Sequence, residues 1–479
     1  MPRRKNDVDT SLTIRWIGGF ILLILLTIGL YSFDLDFDLF NRLFVDFYPW
    51  EVILSNGLII TLSLLLLSLY LWIRKRRLIR RGRFSLFIAS VVLIIAVTDK
   101  AATLVSPYLV PVGLGVALLV IFLDTEVGLV SVVLVTVLVG LGVRPSLGDA
   151  LVAFGGGMAA LFSVRNIRRQ WDLAIAGINI GIVSLFMAAG IEIAKIPFNG
   201  VDIDQWWVLG WAAINGPISM LIVTAGMPFA EYLTRKTSPL GLMEYLNPAH
   251  PLLERLRNEA PGTYQHSVAL GNLGEAAARA IGADPLLTRV GGYYHDIGKL
   301  ERPEFFIENQ ESGENPHDEL TSNMSKVILT SHVRDGVTLG REYGLREDIL
   351  QFIVKHHGTT LIRYFFLKAL REDRKEGERE ISEDEFRYDL SLPDTKETAI
   401  LLLADGVEAA FRSMEHHSTS QIEDMVHEII YGRFHDSQLD AAPLTLADLR
   451  KIEEAFVETL MAMARSRAAS RPVEPKPAR

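Results

Sequence analysis

Long apolar runs occupy the first half of the chain and end near residue 230. Eight of these runs come close to the roughly 20 residues that a helix needs to cross the hydrocarbon core of a bilayer. The predicted spans cover residues 12–31, 52–73, 84–104, 108–123, 127–143, 147–164, 173–193 and 207–225. The pattern predicts a polytopic helical membrane domain. Its first span is interpreted as an uncleaved anchor, because no small-residue cleavage site follows it.

After residue 251 the apolar positions recur at helical spacing, and no run alternates in the way that predicts a strand. Predicted helices cover residues 266–281, 287–295, 322–331, 348–356, 398–412 and 444–464. Residues 302–318 contain Pro303, Gly313 and Pro316 and are predicted to form an irregular loop. The fold class is therefore predicted to be all-α, a helical membrane domain followed by a helical soluble domain.

Changes in composition divide the chain into five predicted segments. Residues 1–50 form a membrane anchor with a short extracytoplasmic loop, and residues 51–230 form a seven-helix membrane domain. Residues 231–260 form a connector to a soluble domain at 261–465, and the tail at 466–479 is predicted to be disordered. The loop at 32–50 is too short to fold as a sensor domain of its own.

Basic clusters around Arg3, Arg74, Arg165 and Arg235 fall on one side of the membrane when eight spans are counted. Lys and Arg are enriched in cytoplasmic loops, so both termini and the soluble domain are expected to be cytoplasmic.

Four charged residues lie in or beside the predicted spans, namely Asp99, Lys100, Glu192 and Lys195. Such residues can line a ligand or ion path. More often they sit at the ends of spans and reach the interface. No transport function is assigned on this basis.

The composition narrows the chemistry that the soluble domain can perform. The chain has 479 residues, 49% of them hydrophobic, and a mean hydropathy of +0.25, as expected when membrane spans are present. The net charge of −9 argues against binding to a nucleic acid polymer. There is no cysteine, so any metal must be held by histidines and carboxylates.

All eleven histidines lie at or after residue 250, and several stand next to other ligand-type residues. Candidate metal ligands are His266, the adjacent pair His295 and Asp296, His332, the pair His356 and His357, and Asp405. His250, His416, His417, His427 and His435 lie in polar or terminal settings and are interpreted as solvent-facing. A lone histidine is usually an ordinary polar residue, but seven ligand-type residues in this arrangement favour a dinuclear site.

Adjacent residues on a helix point about 100° apart, so the His-Asp and His-His pairs are expected near helix ends. One workable division places His266, His295, Asp296 and Asp405 on a first metal. Asp296 would bridge to a second metal held by His332, His356 and His357. Imidazole and carboxylate ligands suit manganese, iron or zinc, and of these manganese or iron is expected.

Several motifs resemble the seven-transmembrane HD-domain phosphohydrolase family, PgpH type. They are residues 260–264 with His266, residues 289–299, 308–310, 315–317, 331–333 and 356–360, and the Leu403-Ala-Asp405 run. The resemblance covers residues from about 50 to 415, and the seven candidate ligands fall on the family's ligand positions. It implies a bacterial membrane phosphodiesterase with a cytoplasmic HD domain that hydrolyses cyclic di-AMP to linear pApA using two metals.

The hypothesis is metal-assisted hydrolysis, in which a hydroxide bridging two metals attacks the phosphorus. Asp296 and Lys299 are the catalytic candidates. Lys299 would offset charge on the phosphate oxygens, although it could instead pair with Glu301 or Glu304. Candidates for substrate contact are Lys299, Asn315, His317 and Arg334, and His317 is equally suited to a loop-stabilising hydrogen bond.

Two alternatives stay open: a catalytically silent membrane sensor, and a hydrolase of another cyclic dinucleotide or nucleotide ester. The chain also departs from the family pattern, because only residues 32–50 fill the place of a large extracytoplasmic domain and Gln265 stands where a second histidine is common. The expected partners are a cyclic dinucleotide and the lipid bilayer, and a homodimer is left open.

Overall fold

Helices make up most of the structure, which is a computed structural model. It describes residues 18–37, 43–75, 82–141, 146–199, 206–310, 315–376, 381–414 and 418–469. The predicted tail lies almost entirely outside these residues, as do His416 and His417. The chain divides into two units, Met1–Leu240 and Gly241–Arg479.

In the described part of the first unit, eight apolar helical stretches lie at the places where the eight spans are predicted. Its helices are α1 (Gly18–Leu30), α2 (Trp50–Arg74), α3 (Gly82–Thr103), α4 (Val112–Phe122), α5 (Thr125–Gly140), α6 (Leu147–Ser163), α7 (Gln170–Asn199) and α8 (Trp207–Thr234). By length and composition, α2, α3, α7 and α8 can cross a membrane. The other four are shorter; a 3-10 turn at Pro107–Leu109 precedes α4.

The membrane unit packs around α4, which is buried along nearly its whole length. Helices α7 and α8 approach backbone to backbone, because a Cβ on Gly181 would lie 2.2 Å from the carbonyl oxygen of Ala213. Gly216 meets the carbonyl oxygen of Gly177 equally closely, at 2.1 Å from an added Cβ. Small residues allow this close packing of helices in a membrane protein.

Lys100 lies in the last turn of α3 and Asp99 directly before it, near a span end as the favoured interpretation expects, but both side chains are buried. The hydroxyl of Tyr31 donates to Asp99 at 2.7 Å. Lys195 fits the expectation of a side chain that reaches the membrane interface, since it is 48% exposed and its Nζ lies 2.8 Å from Oε1 of Glu192.

The helical fold class is confirmed, with one addition in the segment predicted only as a loop. Strands β1 (Phe33–Phe37) and β2 (Leu43–Phe47) form an antiparallel pair in which Phe33 is opposite Phe47. The sequence of β1 alternates between Phe or Leu and Asp, the period-two pattern of a strand.

Among its described residues, the second unit contains α-helices, 3-10 turns and an isolated bridge between Leu361 and Arg387. Helix α9 (Pro239–Tyr245) begins at the boundary between the units. The helices that follow are α10 (Pro251–Glu259), α11 (Pro261–Ala280), α12 (Pro285–Tyr294), α13 (Ser322–Glu342), α14 (Glu347–Lys355), α15 (Arg363–Glu376), α16 (Lys396–Ser413), α17 (Thr419–His435) and α18 (Leu446–Ala469).

Local sequence explains where these helices begin. The carboxylate of Asp284 accepts hydrogen bonds from two backbone N–H groups at the start of α12, and Pro285 follows at the first helical position. Thr321 caps α13 and Thr395 caps α16 in the same way. The loop predicted at 302–318 consists, where it is described, of short 3-10 turns.

Candidate metal centre

Asp296 lies among buried histidines directly after α12, where a 3-10 turn begins at Ile297. Its Oδ2 is 3.1 Å from Nε2 of His295 and 3.8 Å from Nε2 of His266. Its Oδ1 is 3.4 Å from Nε2 of His332 and 3.5 Å from Nε2 of His356. One carboxylate therefore presents each of its oxygens to a different pair of histidines.

Hydrogen bonds at the far side of each ring hold four of these imidazoles in place. Nδ1 of His295 contacts the carbonyl oxygen of Gly292 at 2.8 Å, and Nδ1 of His356 contacts that of Ile353 at 2.8 Å. Nδ1 of His332 bonds to the Leu329 carbonyl, three residues earlier in α13. Because an Nδ1–H donates outwards, Nε2 is left as an acceptor facing Asp296.

The fourth ring, His266, is held by a carboxylate instead of a carbonyl. Its Nδ1 is hydrogen-bonded to the buried side chain of Glu408, while its Nε2 is 3.3 Å from Oδ1 of Asp405. Glu408 was not singled out from the sequence. It follows Asp405 by three residues in α16, a spacing that places both carboxylates on one helix face and could have identified it.

His357 completes the cluster from a different direction. Its Nδ1 is 3.7 Å from Oδ2 of Asp405, and its ring stacks on Tyr388 with centroids 4.3 Å apart. Gly358 follows with a positive φ of 54°, a conformation open to glycine at no steric cost, and the chain turns away after the His-His pair.

The positions of the ligands within the helices differ in part from the prediction. The two pairs lie at helix ends as expected, since His295 and His356 are the residues that follow α12 and α14. His266, His332 and Asp405 instead lie inside α11, α13 and α16. Single ligands do not need a helix end, because one side chain can point inwards from any buried face.

The pKa values in the cluster are shifted by burial and by nearby charges, which in several groups act in the opposite direction to burial. Burial alone would raise the pKa of Asp296, but the nearby His295 and Lys299 lower it well below the usual range. Burial would lower the pKa of His266, yet hydrogen bonds to Asp405 and Glu408 raise it to about 10. Burial dominates at His332 and lowers its pKa to about 4.

Lys299 pairs with neither Glu301 nor Glu304, the structural partners that the sequence suggested. Its Nζ lies 2.7 Å from Oδ2 of Asp296 and 2.6 Å from Oε1 of Glu308. The side chain is 13% exposed, and burial is outweighed by these two carboxylates, which raise its pKa. Lys299 therefore holds the shared carboxylate from one side.

The other three candidates for substrate contact are not brought into this cluster. The side chain of Asn315 accepts hydrogen bonds from the backbone of His317 and from Gln310. His317 bonds through Nε2 to the Phe305 carbonyl at 3.0 Å, which is the loop-stabilising alternative. The side chain of Arg334 is 84% exposed.

These residues fit divalent metal ions. Within the described residues, two sets of donor atoms each lie within 4.8 Å of one another: Asp296, His332, His356 and His357, and His266, His295 and Asp296. Nε2 of His295 and Oδ1 of Asp296 are buried with no hydrogen-bond partner among the described residues. Nε2 of His332 faces Nε2 of His356 at 3.3 Å. A cation would satisfy these acceptors, which otherwise carry an unpaid desolvation cost.

Comparison with known families gives two matches. Residues 50–238 match the family described as 7TM receptor with intracellular HD hydrolase, and residues 263–410 match the HD domain. The two matches follow each other along the chain and correspond to the membrane helices and to the helices that carry the cluster.

Two curated relatives are named cyclic-di-AMP phosphodiesterase PgpH. The one from Bacillus subtilis (strain 168) is 35% identical over 371 residues, which are 75% of this chain and 51% of the relative. The one from Listeria monocytogenes serotype 1/2a (strain 10403S) is 32% identical over 378 residues, 78% of this chain and 51% of the relative. The chain thus spans about half the length of these curated relatives.

Solved structures include the HD domain of L. monocytogenes phosphodiesterase PgpH, which is 41% identical, with 45% of this chain and 99% of that chain covered and a TM-score of 0.42. The same domain in complex with cyclic-di-AMP is 42% identical over the same shares, with a TM-score of 0.43.

Proposed function

The chain belongs to the family of 7TM receptors with an intracellular HD hydrolase, and from that membership we propose that it is a membrane-bound, metal-dependent phosphodiesterase that hydrolyses cyclic di-AMP to linear pApA. The names of its curated relatives supply the substrate. The chemistry of its own buried cluster supplies the reaction class.

The observation that carries the proposal is the position of Asp296 between two groups of histidines. Oδ2 faces His266 and His295, and Oδ1 faces His332 and His356. This arrangement suits a carboxylate that bridges two ions. We therefore propose manganese or iron, with His266, His295, Asp296 and Asp405 on one ion and Asp296, His332, His356 and His357 on the other.

Divalent ions in such a site lower the pKa of water and draw charge from phosphate oxygens. The chain's own residues orient and shield the reacting groups. Outward hydrogen bonds at Nδ1 of His295 and His356 fix which ring nitrogen faces the site. Burial of the cluster keeps bulk water away and strengthens every charge interaction within it.

Lys299 is proposed to act on both Asp296 and the substrate. Its ammonium group has three N–H donors, and Asp296 and Glu308 engage two of them. The remaining donor suits a phosphate oxygen, where negative charge grows during hydrolysis. Glu308 then serves to hold the ammonium in place, helped by the Thr263 hydroxyl at 3.2 Å from its Oε1.

The protein is a membrane protein, and we propose the bacterial cell (inner) membrane with both termini and the HD domain cytoplasmic. The charge bias of the loops supports this orientation, because the clusters that include Arg74, Arg165 and Arg235 fall on one side. Its expected partners are the bilayer and a cyclic dinucleotide.

The test is hydrolysis by the purified full-length chain in detergent with manganese. The expected product of cyclic di-AMP is pApA. Asp296→Ala should remove both bound metal and turnover, and Asp440→Ala, at an exposed carboxylate, is the matched control.

Each alternative function has its own result in this assay. A protein that binds metal and cyclic di-AMP but forms no pApA would be a silent sensor. Faster hydrolysis of cyclic di-GMP or of a nucleotide ester would change the substrate and keep the reaction class.

A further inference from the structure

A second cation, Arg433 on α17, lies beside the metal centre and is not used by the mechanism above. Helix α17 packs against α16, which carries Asp405. A Cβ built on Gly406, the next residue, would lie 3.8 Å from Nη2 of Arg433. Nη2 of Arg433 therefore lies near the residue that follows Asp405, and the charge of Asp405 acts on the guanidinium group, whereas Lys299 pairs with Asp296.

The nearby carboxylate of Asp436 is already engaged by another arginine. Arg387 donates to its Oδ1 at 2.9 Å and to its Oδ2 at 3.1 Å, the two-fold pairing that suits these groups. The side-chain amide of Gln438 also donates to Oδ2 of Asp436, at 3.0 Å. Asp436 is thus satisfied without Arg433.

Within the described residues, the side chain of Arg433 makes no hydrogen bond and no ion pair. It is also partly buried, and burial lowers its pKa although Asp405 and Asp436 oppose that shift. A guanidinium group that is partly shielded from water and has no hydrogen-bond partner among the described residues favours the binding of an anion. An anion bound next to Asp405 would supply the missing partner.

We propose that Arg433 binds the second phosphate of a cyclic dinucleotide, the one that is not cleaved, while the metal centre holds the first. This inference rests on the proposed function and names the feature of the substrate that this part of the site recognises. A cyclic dinucleotide carries two singly charged phosphodiesters, so a site that selects it needs a cation away from the metals. Guanidinium matches phosphate geometry through paired N–H donors.

Tyr388 contacts the metal centre through His357 and is adjacent in the chain to Arg387. It stacks on His357 at 4.3 Å between ring centroids, and its neighbour Arg387 makes the ion pair with Asp436. The charges of Lys299, Asp296, Asp405 and Arg433 all act on the Tyr388 hydroxyl, whose pKa is raised chiefly by burial. Tyr388 is therefore within electrostatic range of both Lys299 and Arg433.

The experiment compares a substrate that has two phosphates with one that has a single phosphate. The full-length protein in detergent with manganese is assayed on cyclic di-AMP and on bis(p-nitrophenyl) phosphate. Arg433→Ala should lower the ratio of kcat/KM for cyclic di-AMP to that for the chromogenic diester by about ten- to a hundredfold, the worth of one hydrogen bond to a charged group. Most of that change should lie in KM.

Two variants complete the design. Arg433→Lys keeps the charge and should restore part of the ratio, which also covers the case in which the alanine variant folds poorly. Arg450→Ala removes an exposed arginine of α18 and should leave the ratio at the wild-type value. Metal content is measured for every variant, because Arg433 could otherwise act only by positioning Asp405.

An unchanged ratio in Arg433→Ala would overturn the inference while leaving the proposed function intact. An equal loss on both substrates, or a loss of metal, would also overturn it, since either result would mean that Arg433 supports the metal centre. A wild-type protein that cleaves the chromogenic diester but not cyclic di-AMP would overturn the proposed function and, with it, the assignment of the second phosphate.

Discussion

Lys299 pairs with Asp296 at 2.7 Å, so the carboxylate shared by both groups of histidines is itself held by a cation. The same ammonium reaches Glu308 at 2.6 Å, and its contact with the ring of Phe306, 4.9 Å from the centroid, covers another side. The His-Asp pair is thus part of a larger buried network of charges.

Replacing Lys299 tests its proposed action on phosphate. Lys299→Met keeps an unbranched side chain and removes the charge, so kcat for cyclic di-AMP should fall about 10²–10³-fold, the usual effect of losing one group that stabilises the transition state. Steady-state kinetics and metal content are measured together. Lys451→Met, at an exposed lysine, is the control, and a kcat within twofold of wild type in Lys299→Met would contradict the role.

Glu408 should act through His266, because its carboxylate holds Nδ1 of that ring. Losing such a partner commonly weakens metal binding by about 10–100-fold, and we expect this for Glu408→Ala. Competition with a chelator measures the affinity directly, and Glu408→Gln, which retains a hydrogen-bonding group, should fall between the alanine variant and wild type. Glu454→Ala, at an exposed glutamate, is the reference variant. If Glu408→Ala binds metal as tightly as this reference does, Glu408 does not support metal binding through His266.

Gly298 allows the chain after the His-Asp pair to pack closely against α13. A Cβ there would lie 1.9 Å from the carbonyl oxygen of His332 and 2.4 Å from the backbone nitrogen of Gly336. Because backbone atoms cannot rotate away, Gly298→Ala should destabilise the protein by about 1–3 kcal/mol or more.

The measurements for Gly298→Ala are thermal unfolding and metal content. Gly432→Ala is the control, since a Cβ at Gly432 meets nothing within 4 Å. Equal melting temperatures for the two variants would mean that the chain around Gly298 can shift without cost.

His250, which lies away from the metal centre, should make the stability of the protein depend on pH. It was expected to face solvent, but it is partly buried against Tyr245 and Tyr294, with ring centroids 5.6 and 5.4 Å away. Burial lowers its pKa below the ordinary value of 6.5, although Glu244 opposes the shift. The unfolded chain therefore binds more protons below pH 6.5 than the folded chain does, and stability should fall as the pH drops through that range.

His250→Phe keeps an aromatic ring between the two tyrosines and removes the titrating group. Its melting temperature should fall less than that of the wild type between pH 7 and pH 5. His435→Phe, at an exposed histidine, controls for the loss of a histidine elsewhere. Identical pH profiles for wild type and His250→Phe would contradict the linkage.

Much of the architecture could be predicted from the sequence because it is encoded locally. Apolar runs long enough to cross a bilayer predict the helices of the first unit, and helical periodicity predicts those of the second. Helix starts such as Asp284 and Thr395 use hydrogen bonds to residues only a few positions away. The seven ligand-type residues could be named as candidates because many histidines and aspartates recur in this arrangement in a chain that has no cysteine.

The tertiary structure decided the relationships between residues that lie far apart in the chain. Sequence reasoning weighed Glu301 and Glu304 as partners of Lys299, but the loop after the 3-10 turn brings Glu308 to it instead. Glu408 reaches His266 across 142 positions of sequence, and such contacts depend on how helices pack. The alternating pattern of β1 covers only five residues, and so short a strand is stable only once a partner such as β2 pairs with it.

The sequence by itself therefore determined which residues carry metal-ligand side chains and in which helical segments of the chain they fall, because residue type and periodicity are local properties. Only the tertiary structure decided which oxygen of Asp296 faces which histidines, and that among the described residues Arg387, and not Arg433, pairs with Asp436. These are questions of distance between packed helices, and no local pattern in the chain specifies them.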